Sequence, residues 1–143
     1  MAIENKEIAE IVGRYFAACN AGDMRAAAQL DGQVGFGFRT KVWRDGQLGL
    51  DAYVGLLNKL WDSMEYFHAE LEELSTSSDG SVGFAWGFHV EKFKVKGRPD
   101  EQVRVRFSHV YKKDGDKWQC IMYHRDIQPF DEDGRYVPRF TTA

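Results

Sequence analysis

The apolar residues of this chain of 143 residues repeat with a helical period up to about residue 64, and with a period of two afterwards. Helices followed by a run of hairpin strands are typical of α+β domains, in which the helices cover one face of an antiparallel sheet. We therefore predict one α+β domain with three N-terminal helices on a curved antiparallel sheet. Such a sheet, curling around helices, leaves a cone whose open mouth suits a small ligand.

Three helices are predicted from the spacing of apolar residues in the first half of the chain. The first covers about residues 8–19 and ends at Gly22, because glycine readily adopts the left-handed conformation that closes helices. Asp23 is expected to cap a short second helix over about residues 24–30. Asp51 is expected to cap a third. The buried stripe of that third helix is predicted to contain Tyr53, Val54, Leu57, Leu60, Trp61 and Met64.

Strands are predicted from alternating apolar residues, first over about residues 36–43 and then from residue 67 onwards. Within the second half the alternation includes Val82, Phe84, Trp86, Phe88 and Val90, then Val103, Val105, Phe107, His109 and Tyr111. The phase slips between residue 90 and Phe93, and a β-bulge near Glu91 would explain the slip. Asp114 and Gly115 predict a hairpin into a last strand. We place the domain at residues 1–129 and a C-terminal tail at residues 130–143.

Composition excludes several classes of function. The net charge of −3 gives no general attraction for nucleic acid, and no apolar stretch approaches membrane length. With a charged N-terminus unlike a signal peptide, the chain is expected to be cytoplasmic, with Cys19 and Cys120 as reduced core thiols. His89, His109 and His124 each stand alone on a strand without a second ligand at metal spacing. We predict no metal and no other cofactor.

Two stretches resemble known families. The segment RYFAACNAGD, residues 14–23, resembles the first-helix segment of bacterial ketosteroid isomerases. Residues 108–129 are similar to the final hairpin of the association domain of calcium/calmodulin-dependent kinase II, and GLD (49–51) with NKLW (58–61) resembles its third helix. Both families have the nuclear transport factor 2-like (NTF2-like, or SnoaL-like) fold. The resemblance therefore implies a cystatin-like cone, but the fold hosts unrelated activities.

The isomerase resemblance implies that Tyr15 stabilises an oxyanion. The catalytic aspartate of that family falls on or near Arg39, and its second oxyanion donor falls on Ser108. Because an arginine side chain stays protonated, it cannot act as the general base. We therefore do not expect the isomerase mechanism. In another proton-transfer reaction, His124 or Asp126 would have to serve as the base.

The resemblance to the kinase domain implies a pocket with arginines, of which one falls on Arg125 and another on Ser108. Both resemblances place Ser108, and with it Arg104 and Arg106, on the concave face of the sheet. The predicted ligand-binding residues are Arg39, Trp61, Trp86, Phe88, Arg104, Arg106, Ser108, Tyr123 and Arg125, with Tyr15 and Phe84 as further walls. Aromatic walls around guanidinium groups suit an organic anion.

The alternation in the last-but-one strand also allows the opposite orientation. Arg104 and Arg106 would then face water, while Val103, Val105 and Phe107 would face the helices. If Arg104 and Arg106 instead lie on the concave face, the apolar odd-numbered residues lie on the outside of the sheet and need to be covered. A second subunit would cover them most simply, so a homodimer is expected.

Two functions remain open from the sequence. One is a small-molecule-binding domain, with isomerase, cyclase or lyase chemistry if it is an enzyme. The other is a non-catalytic oligomerisation or ligand-sensing module.

Overall fold

A computed structural model describes residues 4–31 and 50–129, together with residues 133 and 135. Three helices precede four strands: α1 (Lys6–Ala21), α2 (Met24–Asp31), α3 (Leu50–Asp62), β1 (Met64–Asp79), β2 (Val82–Val95), β3 (Asp100–Asp114) and β4 (Lys117–Pro129). The strands form one antiparallel sheet in the order β1-β2-β3-β4. The predicted α+β class, with helices on an antiparallel sheet, is confirmed. The predicted strand over residues 36–43 lies outside the described residues.

The helix ends follow local chemistry. The Asn5 side chain accepts a hydrogen bond from the Ile8 N–H at 3.0 Å, which satisfies one free donor at the start of α1. Gly22 ends α1 with a φ of 73°, as predicted. Asp23 accepts from the Ala26 N–H at 3.1 Å and so caps α2, also as predicted. Asp51 lies inside the first turn of α3, so its predicted capping role is wrong; it pairs instead with Arg25 at 2.6 Å.

Helix α1 is attached to β1 near both of its ends. The Asn5 N–H donates to the Thr76 hydroxyl at 3.1 Å, and that hydroxyl donates back to the Asn5 carbonyl at 3.0 Å. Near the other end, the Asn20 amide donates to the Ala69 carbonyl at 2.8 Å and accepts from the Ala69 N–H at 2.7 Å. These paired bonds fix both the height and the direction of α1 above the sheet.

The face of the sheet that packs against the helices is called the inner face, and the opposite one the outer face. On β2 the inner face carries Gly83, Ala85 and Gly87, followed by His89 and Glu91, which are all buried. Small residues are needed there because α1 approaches closely at Gly83 and the backbone of β1 approaches closely at Gly87. A Cβ atom at Gly83 would overlap the Ile8 side chain, and one at Gly87 would overlap the Glu73 carbonyl.

The large apolar residues of β2 therefore lie on the outer face, where Val82, Phe84 and Trp86 are exposed. The predicted bulge near Glu91 is wrong, because the pairing of β2 with β3 continues through this region without interruption. The irregularities in the pairing of β1 with β2 lie between Met64 and Tyr66 and between Leu71 and Glu73 on β1. The apparent phase slip arises because the large apolar residues lie on the outer face in the first part of β2 and on the inner face in its last part.

Strand β3 settles the orientation that the sequence left open. Val103, Val105 and Phe107 are buried beneath the helices, and the Phe107 ring lies 5.8 Å from that of Phe16 on α1. Arg104 and Arg106 therefore lie on the outer face. The concave placement of the two arginines is wrong, and the alternative drawn from periodicity alone is correct.

Candidate active site

An inner cavity of about 300 Å³ lies between the helices and the inner face of the sheet. Helices α1, α2 and α3 supply one side, and strands β1, β2 and β4 supply the other. Most of the wall is apolar, which is usual for a small-molecule site. The described residues that line it are Tyr15, Phe16, Cys19, Met24, Leu57, Leu60, Trp61, Met64, Phe67, Ala69, His89, Glu91, Phe93, Arg125 and Ile127.

A polar trio of His89, Glu91 and Arg125 lies on the sheet side of the cavity. His89 Nε2 lies 2.9 Å from Glu91 Oε1, and an Arg125 terminal nitrogen donates to the same oxygen at 2.9 Å. The Glu91 side chain is only 9% exposed and that of Arg125 24% exposed. Strands β2 and β4 are separated by β3, so Arg125 reaches across the inner face of β3 to meet Glu91.

The second oxygen of Glu91, Oε2, has no hydrogen-bond partner among the described residues, yet it is not one of the fully enclosed polar atoms. Glu91 itself lines the cavity. One oxygen of the carboxylate is therefore anchored, and the other remains accessible to a molecule in the cavity.

Electrostatics keep this carboxylate ionised. Burial by itself would raise the pKa of Glu91, but the His89 hydrogen bond and the Arg125 charge outweigh burial and hold the pKa below its ordinary value. For the Arg125 guanidinium, burial alone would have the opposite effect and lower the pKa. The neighbouring Tyr123, Glu91 and Tyr15 outweigh burial and raise the pKa instead. Glu91 and Arg125 thus form a charged pair at neutral pH.

Aromatic and imidazole rings continue from the cavity wall into the core. The Tyr15 ring lies 6.1 Å from those of Tyr123 and His109, and His109 stacks on Tyr123 at 4.8 Å. His109 Nδ1 also lies 3.0 Å from the Tyr111 hydroxyl. Burial raises the pKa of Tyr111 above its ordinary value, so this phenol stays protonated. Tyr15 alone of these four rings lines the cavity.

Several predicted site residues lie in or beside the cavity. Tyr15, Trp61 and Arg125 line it, and Tyr123 is buried directly behind Tyr15. Arg39 lies outside the described residues. The positions of these side chains agree with the sequence interpretation, while their functional roles stay predictions.

The remaining predicted site residues lie on the outer face, so placing them in the inner cavity is wrong. Trp86 and Phe84 are exposed there, and Arg104 sits over the Phe88 ring at 4.2 Å while pairing with Glu72. Pairing along the outer face brings together Arg106, Ser108, His124 and Asp126. Asp126 bonds Arg106 at 2.7 Å and His124 at 3.2 Å. The two candidate bases therefore lie on the wrong side of the sheet.

Sequence reasoning missed the carboxylate that does reach the cavity. Glu91 and His89 are two residues apart on one strand, so they share a face, and that face otherwise carries glycine and alanine. An acidic residue continuing a face of small residues was the available signal. Large apolar residues on the opposite parity obscured it, because they suggested that the even-numbered face was the buried one.

The fold and this cavity define the class of protein. The chain belongs to the family of SnoaL-like domains, whose model matches residues 8–127. No protein of curated function matches the chain significantly in sequence. Within the described ranges, no helix combines the length and apolar character needed to cross a membrane.

Solved structures with the same fold include NTF2-like proteins. An NTF2-like protein with a cystatin-like fold from Novosphingobium aromaticivorans is 17% identical, covering 90% of this chain and 84% of its own, with a TM-score of 0.63. A candidate scytalone dehydratase from the same organism is 14% identical over 88% of this chain and 83% of its own, with a TM-score of 0.63. A candidate calcium/calmodulin dependent protein kinase II association domain from Xanthomonas campestris is 16% identical over 83% and 84%, with a TM-score of 0.60.

Proposed function

We propose that the chain binds a small, mainly apolar molecule in the inner cavity and catalyses proton transfer on it, with Glu91 as the general base. The supporting observation is the Glu91 carboxylate, in which Oε1 is anchored by His89 and Arg125 while Oε2 remains accessible. A positioned, ionised carboxylate in an apolar site can remove a proton from the carbon next to a carbonyl group.

The reaction class that fits is isomerisation or elimination of water. Glu91 Oε2 takes the proton, and the electrons of the C–H bond move to form an enolate, whose oxygen accepts a hydrogen bond from Tyr15. In isomerisation the proton returns to another carbon. In dehydration the enolate expels a β-hydroxyl group, which takes up the proton and leaves as water. The similar structure named as a candidate scytalone dehydratase supports the second branch.

Deuterium exchange into a cyclic ketone isolates the step that both branches share. We expect the wild-type protein to accelerate exchange at the α-carbon of 2-tetralone in D₂O, measured by NMR. Glu91→Gln should lower the catalysed rate by about 10²–10⁴-fold, the usual contribution of a general base. Glu91→Asp, which keeps the carboxylate on a shorter side chain, should restore part of the rate.

The matched control is Glu72→Gln, which removes another carboxylate paired with an arginine, on the outer face. Its exchange rate should equal that of the wild type. Circular dichroism shows whether each variant is folded. Equal rates for folded Glu91→Gln and wild type would eliminate Glu91 as the base.

A second candidate function is a non-catalytic oligomerisation module. It is favoured by the exposed apolar residues of the outer face, chiefly Phe84, Trp86 and Met122, since a contiguous apolar patch often marks an association surface. The similar association-domain structure points the same way. We also propose that the chain forms a homodimer, which is compatible with the enzyme. Light scattering separates the two functions, because a ring of many subunits would support the oligomerisation module instead.

A further inference from the structure

The charges of the described residues that line the cavity balance each other. Among the described residues that line it, Glu91 and Arg125 are the two formally charged side chains, and they bond each other at 2.9 Å. Arg125 therefore does not need an anionic ligand to neutralise it. An anion entering the cavity would have to leave water for a site whose cation is already paired, which costs free energy.

The hydrogen bonds of His89 favour its neutral form. Because a carboxylate only accepts, the proton between the two side chains must be on His89 Nε2. His89 Nδ1 is fully enclosed and has no hydrogen-bond partner. A second proton on Nδ1 would be a buried donor without an acceptor, which is more costly than an unused lone pair. With His89 neutral, the trio carries no net charge.

The rest of the wall favours flat apolar molecules of limited size. Phe16, Trp61, Phe67 and Phe93 supply aromatic surface, and their side chains surround a volume of about 300 Å³. This volume is at the lower end of the range for small-molecule pockets, which is roughly 300–1,000 Å³. A compound of one or two rings fits this space.

Building on the proposed function, we propose that the ligand is a neutral compound of one or two rings with a hydroxyl group, or the C–H group beside a carbonyl, at Glu91, and that the cavity discriminates against organic anions. Selection against anions follows from the internal Glu91–Arg125 pair, so that breaking this pair should change the preferred charge of the ligand.

Binding of 2-naphthol and 2-naphthoate, measured by titration calorimetry at about pH 7, tests this inference, because the two share a ring system and differ in charge. Wild type should bind the neutral naphthol at least about tenfold more tightly. Glu91→Gln leaves the Arg125 charge without its partner, so the ratio of the two affinities should shift towards naphthoate by about tenfold or more. Arg125→Gln should shift it the opposite way.

Two controls locate the binding. Leu57→Trp fills part of the cavity and should weaken binding of both probes, whereas Arg106→Ala on the outer face should change neither affinity. Tighter binding of naphthoate than of naphthol to the wild type, an unchanged ratio in Glu91→Gln, or no binding of either probe would each overturn the inference.

These measurements do not depend on turnover. Selective binding of naphthol without any ketone exchange would refute the proposed catalysis and leave the ligand class intact. Exchange of 2-tetralone together with a preference for naphthoate would support the proposed catalysis and refute the inferred ligand class.

Discussion

At the scale of single residues, Glu91 and Arg125 determine the chemistry available in the cavity. Two donors converge on one carboxylate oxygen, and Glu91 is buried while Arg125 is partly buried. A buried pair adds little net stability compared with apolar residues, but removing one partner leaves the other charge uncompensated. The pair should therefore be visible in stability measurements as well as in activity.

Glu91→Gln should lower the free energy of unfolding at neutral pH by about 3 kcal/mol, because the partly buried Arg125 is left without its counter-charge. The loss should depend on pH. The pKa of Glu91 is held below its ordinary value in the folded state, so its stabilising effect is present above that value and is lost as the pH falls through the folded pKa. Urea unfolding from neutral to acidic pH should show the curves of wild type and variant converging in acid.

Glu72→Gln provides the comparison, because its arginine pair is about one-third exposed. It should cost less than about 1 kcal/mol. Parallel curves for wild type and Glu91→Gln across the acid range would contradict the depressed pKa.

At the scale of elements, period-two alternation identified β2, β3 and the β3–β4 hairpin correctly. Alternation indicates that the two faces of a strand differ, but it does not indicate which face the helices cover. On β3 the valines made the choice straightforward, and the family resemblance shifted the interpretation to the wrong face. On β2 the large apolar side chains point outwards, because Ile8 of α1 at Gly83 and the Glu73 carbonyl of β1 at Gly87 leave no room for them on the inner face. These close approaches are a property of packing and cannot be read from β2 alone.

The close packing at Gly87 can be tested. Gly87→Ala should destabilise the protein by about 1–3 kcal/mol, because the new methyl group overlaps the Glu73 carbonyl beside the irregularity in β1. Gly13→Ala is the matched control, since a Cβ there meets nothing within 4 Å and the residue lies on the exposed face of α1. It should be neutral or stabilising by about 0.5–1 kcal/mol. Similar midpoints in urea for both variants would show that β1 and β2 can move apart at this point at little cost.

At the scale of the whole molecule, the fold was predictable because two signals agreed. Helical spacing followed by alternation gave the α+β class, and the resemblance of residues 14–23 and 108–129 gave the family. The site was less predictable. Tyr15, Trp61 and Arg125 were found, but Glu91 was not, because its role depends on Arg125 reaching across β3 from a strand two positions away in the sheet. Such a contact has no signature in local sequence.

The exposed apolar outer face makes a prediction about assembly. Trp86→Lys should reduce the mass measured by light scattering from that of a homodimer to the 16.4 kDa of one chain, because burying a lysine charge opposes association. Leu56→Lys makes the same chemical change at an exposed position of α3 and should leave the mass unchanged. A wild-type mass of one chain, or a dimer that tolerates Trp86→Lys, would rule out this surface.

The trio of His89, Glu91 and Arg125 is held entirely by strands, whereas much of the apolar wall, including Leu57, Leu60 and Trp61, belongs to α3. Reactivity and selectivity are thus encoded in separate parts of the chain. Substitutions along one helix could adapt the protein to differently shaped compounds while its proton-handling groups stayed in register, which offers a physical route by which one scaffold diversifies its repertoire.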